Sequence, residues 1–396
     1  MKKLSLLCAG VLMTSIMAGC GQSGASTETA PAETSAAVAA AETTELKKAE
    51  ANFSLSSVDY AKQLKLGWNL GNTLDALGNS GLETETAWGQ PKTTKEMIKY
   101  VKDAGFTSIR VPVSWGQHTD KDFHIDKAWM GRVTEVVDYA YDAGLYVIIN
   151  SHHDNDKKYY YPDDKNYENS EKYIETIWSQ VADNFKDYDQ HLIFESMNEP
   201  RLSGTSKEWW FQPNDAEGVA SIKNISKLNQ VFVDTVRKSG GNNDKRYLMV
   251  PSNAASPSNA LNDAFTMPTD SAEHIILSVH AYTPYDFAMN YGGGYKDWSE
   301  TKGKDLSFMD DLNKKFILNG YGVVIGEFGA TNKNNLDARV AWAKQYTEKA
   351  ASYGIPCFLW DNGGTDSGDE NFGMINRSAR SVYFPEILDT MKASYE

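Results

Sequence analysis

Leu192-Ile193-Phe194-Glu195-Ser196-Met197-Asn198-Glu199-Pro200 begins as an apolar run and ends in an amide, a carboxylate and a proline. The run up to Phe194 reads as a buried strand, and Pro200, which lacks an N–H, stops further pairing. A carboxylate held at a strand end by a stiff following residue is well placed for proton transfer. Val323-Val324-Ile325-Gly326-Glu327-Phe328-Gly329 repeats the design: an apolar strand, a glutamate at its end, then a glycine.

Six further runs have strand character, which with these two places strands at 64–71, 108–115, 146–154, 192–200, 247–254, 275–284, 323–330 and 356–363. Helical patterns lie between them. Thr94 can cap a helix with Met97, Ile98 and Val101 as its apolar stripe, ended by Gly105. The segments 133–143, 231–236 and 338–353 repeat that pattern, the first ended by Gly144. Strands alternating with helices imply a parallel sheet, and eight of them imply an α/β fold closed as a (β/α)8 TIM barrel. The competing fold is an open doubly wound sheet. It would gather polar residues at one switch point, whereas here they follow nearly every strand, where a barrel keeps its active site. Two glutamates at two strand ends then match the carboxylate pair of a retaining glycosidase, whose carboxyl groups stand about 5–5.5 Å apart.

The N-terminus has a different character. Lys2 and Lys3 precede an apolar run, and Ala18-Gly19 precede Cys20. A basic start, a short apolar core and small residues read as a secretory signal over 1–19. Cleavage before a cysteine resembles the lipobox of bacterial lipoproteins, with Met17 where that motif usually has leucine, so Cys20 is expected to carry lipid. Residues 20–51 are rich in Ala, Thr, Ser and Glu, a composition that reads as a disordered tether. All ten tryptophans lie beyond Asn52, so 52–396 is expected to form one catalytic domain. The expected location is the bacterial cell surface, or plain secretion without the lipid, with membrane contact through the anchor alone. A formal net charge of −14 argues against a nucleic-acid partner. Of three cysteines only Cys357 lies in the folded part, so no disulfide is expected there. A monomer without cofactor or metal is expected.

Seven stretches carry a resemblance: Gly67-Trp68-Asn69-Leu70-Gly71-Asn72-Thr73, Ile109-Arg110-Val111-Pro112, Asn150-Ser151-His152-His153, Asn198-Glu199-Pro200, His280-Ala281-Tyr282, Gly326-Glu327-Phe328-Gly329 and Trp360-Asp361-Asn362. In this order, one per strand, they resemble the glycoside hydrolase family 5 enzymes, nearest the bacterial endo-β-1,4-glucanases of subfamily 4, over residues 64–363. Ser151 departs from the pattern, since relatives often carry an apolar residue there. The resemblance implies that Glu199 is the general acid/base and Glu327 the nucleophile. It implies that Asn198 binds a sugar 2-OH, that His280 borders the acid/base and Tyr282 the nucleophile, and that His152, with His153 beside it, lies near the sugar. By residue type, Arg110 suits holding Glu327 ionised. Trp360 is expected to be the floor on which the reacting sugar stacks its C–H face. Trp68, Trp88, Trp115, Trp209, Trp210 and Trp298 are candidates for outer subsites. Trp209 and Trp210 stand out, because their long polar loop offers little core. Asn69, Asp361 and Asn362 are expected to add hydrogen bonds to sugar hydroxyls. Glu195 reads as a buried structural carboxylate, paired with a strand arginine or sharing a proton.

The expected activity is endo-hydrolysis of cellulose-type or mixed-linkage β-glucans by double displacement. Xyloglucanase, xylanase or mannanase activity on the same barrel is the alternative, because those preferences depend on loop geometry. A metal-dependent hydrolase built on His152, His153 and Asp154 would need further ligands, and the chain has only seven histidines in all. A lipoprotein that merely captures oligosaccharides would not need both glutamates.

Overall fold

The computed structural model describes residues 51–299 and 305–396. The expected signal, Cys20 and all but the last residue of the expected tether lie outside the described residues. Eight parallel strands close into a barrel in chain order, with β1 pairing β8: β1 (Leu66–Asn69), β2 (Ser108–Val111), β3 (Tyr146–Asn150), β4 (Leu192–Glu195), β5 (Leu248–Pro251), β6 (Ile275–His280), β7 (Gly322–Phe328) and β8 (Cys357–Leu359). A short hairpin of β9 (Ile375–Asn376) and β10 (Ser381–Val382) follows. The helices are α1 (Ser57–Leu64), α2 (Lys95–Asp103), α3 (Lys127–Asp142), α4 (Tyr167–Asn184), α5 (Ala216–Lys238), α6 (Pro257–Leu261), α7 (Tyr285–Ala288), α8 (Phe308–Lys315), α9 (Leu336–Ser352) and α10 (Pro385–Ala393). The expected barrel is therefore present.

Two boundaries differ from expectation. The strands are shorter: β4 closes at Glu195, so Asn198 and Glu199 stand on the loop beyond it. The helix expected at 231–236 is the end of the 23-residue α5, capped by Asp215, whose carboxylate accepts from Glu217 N and Gly218 N. Asn224, Asn229 and several serines interrupt its sequence pattern, but all are buried and hydrogen-bonded.

Alternation along the strands sorts side chains into two cores. Outward residues such as Ile109, Val147, Leu192, Leu277 and Ile325 pack against the helices. Inward residues fill the barrel in layers. The lower layer is apolar, with Ile148, Ile193, Met249, Ile276, Val324 and Phe358, and α1 closes it from below with Tyr60 stacked on Tyr247 at 3.5 Å. One step further along the same inward faces come Asn69, Arg110, Asn150, Glu195 and Ser278, all fully buried. The barrel thus changes from oil to a polar network toward the C-terminal ends of its strands.

Candidate active site

Arg110 is the hub of that network. Its Nε donates to Glu195 Oε2 at 2.7 Å, Nη1 to Asn69 Oδ1 at 3.0 Å and Glu327 Oε1 at 2.8 Å, and Nη2 to Asn198 Oδ1 at 2.7 Å. Burial opposes its charge, but the Glu195 and Glu327 carboxylates outweigh burial and hold it as a cation. Glu195 also accepts from Ser278 Oγ at 2.5 Å and Asn150 Nδ2 at 3.0 Å, so it is the buried structural carboxylate paired with a strand arginine.

Glu327 owes its direction to a register shift. Ser278 pairs with Val324 and Val279 with Ile325, but His280 pairs with Glu327, so Gly326 is an extra residue in β7. Without that bulge, alternation would turn Glu327 outward, away from Val324. An added Cβ at Gly326 would lie 3.1 Å from both His280 Nε2 and Ser278 Oγ, tight enough to disturb them. Glu327 Oε2 accepts from the Tyr282 hydroxyl at 2.9 Å, and Glu199 Oε1 pairs with His280 Nδ1 at 2.8 Å. Oxygens of Glu199 and Glu327 and a ring nitrogen of His280 all lie within 4.8 Å of one another.

Burial pushes both carboxyl groups up. At Glu327 the rise survives the pull of His280, Arg110 and Tyr282, helped by the Glu199 charge. At Glu199 the hydrogen bond from His280, then its charge, backed by Arg201 and Arg110, reverses it and brings the group below its ordinary value. The charge part of that pull requires a cationic imidazole. His280 Nε2 lies 3.5 Å from Arg110 Nη2, a group with donors only. The network therefore assigns a lone pair to Nε2 and leaves Nδ1–H to donate to Glu199. In this uncharged form the charge of His280 no longer pulls on either carboxyl; Glu199 keeps one hydrogen bond from a neutral imidazole at 2.8 Å, while Glu327 keeps the Arg110 cation at 2.8 Å and the Tyr282 hydroxyl at 2.9 Å. We therefore assign Glu199 the higher proton affinity of the pair.

Other expected residues gather around this pair. Asn198 has its oxygen committed to Arg110, which leaves its N–H groups as the donors it offers. His152 accepts from Asn150 Nδ2 at 3.1 Å through Nδ1, so its Nε2 carries the hydrogen. Burial, with the neighbouring His153 and Arg110, holds it well below the ordinary histidine range. Its ring is parallel to Trp360, at 2° and 5.6 Å, and Trp360 is partly exposed. Gly71 makes room for Trp360, since a Cβ there would lie 2.9 Å from the indole. His153 is half-buried, 3.6 Å from Asp75 Oδ2, with the Trp88 ring 5.3 Å away.

Several expectations need correction. Trp68 is fully buried: it lies on the outward face of β1, and its Nε1 donates to Asp361 Oδ2 at 2.8 Å, so it cannot meet a sugar. Asn69 is buried too, spending its amide on the carbonyls of Gly326, Phe358 and Leu359. Asp361 accepts from Trp68 and from the N–H groups of Gly363, Met374 and Ile375, which makes it a loop anchor. Asn362 bonds Glu370 O, Gly364 N and Phe372 N, and so shapes its own loop. Trp115 is fully buried, and Trp298 packs on Phe287 at 5.2 Å. Asp154 does not join the histidines: it accepts from Trp115 N, Gly116 N and Ser151 Oγ, which also accounts for a serine at 151. Trp209 and Trp210 are exposed by 59% and 68%, as a sugar platform requires.

Sequence reasoning missed Arg201. Its guanidinium lies under Trp209 at 4.0 Å and donates to the Glu199 carbonyl at 2.9 Å. Its position two residues after Glu199 was the available signal.

Comparison with known proteins agrees with this arrangement. The family model for cellulase (glycosyl hydrolase family 5) matches residues 72–366. The chain is 46% identical over 342 residues to a cellulase/esterase CelE of Acetivibrio thermocellus, covering 85% of this chain and 40% of that protein. It is 43% identical over 345 residues to an endoglucanase A of Ruminococcus albus, covering 85% of this chain and 92% of that one. Among solved structures, a family 5 lichenase from Caldicellulosiruptor sp. F32, in complex with cellotetraose, is 47% identical with a TM-score of 0.84, over 88% of this chain and 97% of that one. A broad-specificity endoglucanase from Ruminococcus champanellensis with bound cellotriose is 41% identical with a TM-score of 0.81, over 87% and 100%. With a closed eight-stranded barrel, the carboxylate pair in its mouth and a family match across most of its length, the chain belongs to glycosyl hydrolase family 5.

Proposed function

We propose that the protein is a retaining, endo-acting β-glucanase that cleaves β-1,4 linkages in cellulose-type or mixed-linkage glucans, with Glu199 as acid/base and Glu327 as nucleophile. The observation that carries this reading is the close approach of the two carboxylates, an oxygen of Glu199 lying within 4.8 Å of an oxygen of Glu327, with Arg110 and Tyr282 on one and His280 on the other. Retaining pairs stand about 5–5.5 Å apart, and inverting pairs leave roughly 6.5–9.5 Å for a water. The relatives named as endoglucanases and lichenase, two of them holding cello-oligosaccharides, support the substrate class.

In the first step Glu199 gives its proton to the glycosidic oxygen while a Glu327 oxygen bonds to the anomeric carbon, and the C–O bond to the leaving chain breaks. Tyr282 and Arg110 hold Glu327 in line. In the second step Glu199, now ionised, takes a proton from water, whose oxygen displaces Glu327 and restores the β configuration. Asn198 donates to the 2-OH, a bond that strengthens as the ring gains oxocarbenium character. Trp360 offers an apolar floor.

The expected cell-surface location is likewise a proposal. It is supported by Lys2, Lys3, Ala18-Gly19 and Cys20, with residues 20–51 as the tether ahead of the catalytic domain.

The deciding experiment is chemical rescue. Glu327→Ala should be inactive on barley β-glucan, and azide should restore turnover of an aryl β-cellobioside with α-cellobiosyl azide as product. Wild type should release the β-anomer first by NMR. An α-anomer first, or near-normal turnover by Glu327→Ala, overturns the reading.

A further inference from the structure

Glu199 is faced by His280 from β6, Tyr282 from the loop after it, Glu327 from β7, Arg110 from β2 and Tyr160 from the loop after β3. Arg201 adds a further neighbour from the loop after β4, the one that carries Trp209 and Trp210. Its Nη1 donates to the Glu199 carbonyl at 2.9 Å and lies 3.7 Å from the Glu199 carboxylate. Its Nε donates to Glu208 Oε1 at 3.1 Å, while Glu208 Oε2 accepts from Gly204 N at 3.0 Å. The broad face of the guanidinium supports the Trp209 ring at 4.0 Å. The backbone beneath is pinned: Asn155 bonds both the N–H and the carbonyl of Arg201 at 3.0 Å, and Pro200 O accepts from Ala254 N at 2.8 Å.

We infer that Arg201 is a positioning residue that joins the leaving-group side of the cleft to the acid/base, holding the Glu199 backbone and tuning its proton while supporting the exposed Trp209 ring on which a departing glucosyl unit stacks. This inference rests on the assignment of Glu199 as the acid/base. Two properties of arginine make the coupling work. A guanidinium is planar and can support an indole on its face while donating through its edge. Its charge is permanent, so it favours the ionised form of a nearby carboxyl group at every working pH. Glu199 must be protonated in the first step and ionised in the second. A cation partly shared with Glu208 sets the balance between the two: too strong a pull would empty Glu199 of its proton before catalysis, and none would slow its return to the base form. Burial raises the Glu199 carboxyl and Arg201 is among the groups that lower it.

The test compares pH profiles of kcat/KM for the full-length protein on barley β-glucan. The basic limb reports loss of the acid's proton. Arg201→Gln removes the cation, raises the proton affinity of Glu199 and should move the basic limb up by roughly half a unit to one unit. Arg201→Lys keeps the charge and should hold the limb near wild type, yet lose the flat support under Trp209 and raise KM. Glu208→Gln leaves the cation undivided and should move the limb down. In the first turnover of 2,4-dinitrophenyl β-cellobioside, whose leaving group needs no proton, Arg201→Gln should lose about tenfold less than on β-glucan. A basic limb that stays in place in both Arg201→Gln and Glu208→Gln overturns the inference, and should Arg201→Gln fail to fold, Glu208→Gln decides alone. Wild type idle on β-glucan but active on mannan or xylan would overturn the substrate reading instead, with the same comparison then made on that polysaccharide.

Discussion

The donors of Arg110 reach Glu195, Asn69, Glu327 and Asn198, so one buried side chain orients Glu327 and Asn198 together. Lysine could not do this, because its point charge has no planar fork. Arg110→Lys should leave Glu195 and Glu327 incompletely paired, lower kcat/KM at least a hundredfold, and cost about 3–5 kcal/mol of stability in urea titrations. Trp360 has a simpler task. Trp360→Ala should keep the fold and lose roughly 1–3 kcal/mol of transition-state stabilisation, read as a drop in kcat/KM on cello-oligosaccharides.

At the scale of elements, the bulge in β7 decides whether the barrel has a nucleophile. Gly326 gives up a side chain so that Glu327 can turn inward beside His280 and Ser278. Gly326→Ala should leave Tm within a few degrees of wild type but lower kcat on β-glucan tenfold or more, since a displacement of about 1 Å at the reacting group can cost a hundredfold. A second element titrates. His118 ends a short turn after β2, stacks on Trp129 of α3 at 3.7 Å, and is pushed down to about 4 by burial. Its folded value lies below its unfolded one, so between about pH 6.5 and 4 the unfolded chain binds the proton first and stability falls as pH falls. His118→Phe should flatten that part of a Tm-against-pH curve and change little at pH 8.

At the scale of the molecule, the two ends of the barrel have separate tasks. Asn52 bonds Gln190 just before β4, and Tyr247 donates to Leu55 O at 2.8 Å just before β5, so the chain enters the domain at the N-terminal ends of the strands. Glu199 and Glu327 stand at the other end. The first described residues therefore lie at the end of the barrel opposite Glu199 and Glu327. Cys20→Ala should move activity from the membrane to the soluble or precursor fraction with kcat and KM unchanged. Unaltered fractionation, with no lipid label in wild type, would replace anchoring by plain secretion.

Much of this was legible in the one-dimensional chain. Alternating apolar runs and helical stripes dictate a (β/α)8 barrel because each period must bury one face, and the polar residues that follow each run mark the catalytic end. The residues brought together there include Arg110, His152, Asn198, Glu199, His280, Tyr282, Glu327 and Trp360, all from the motifs, with Arg201 added by the structure. Tertiary structure alone decided which way several of them point. Trp68 and Asn69 are adjacent and look equally able to meet a sugar, yet alternation on a short strand sends one into the helix layer and the other into the polar core, and both are buried. Glu327 faces the cleft only because the register slips at Gly326, and a bulge depends on the pairing of two distant strands. Arg201 was unremarked because its value comes from Trp209 folding back over it. Local pattern determines which face a residue can occupy. Whether that face meets solvent, a carboxylate or another ring depends on contacts between segments far apart in the chain.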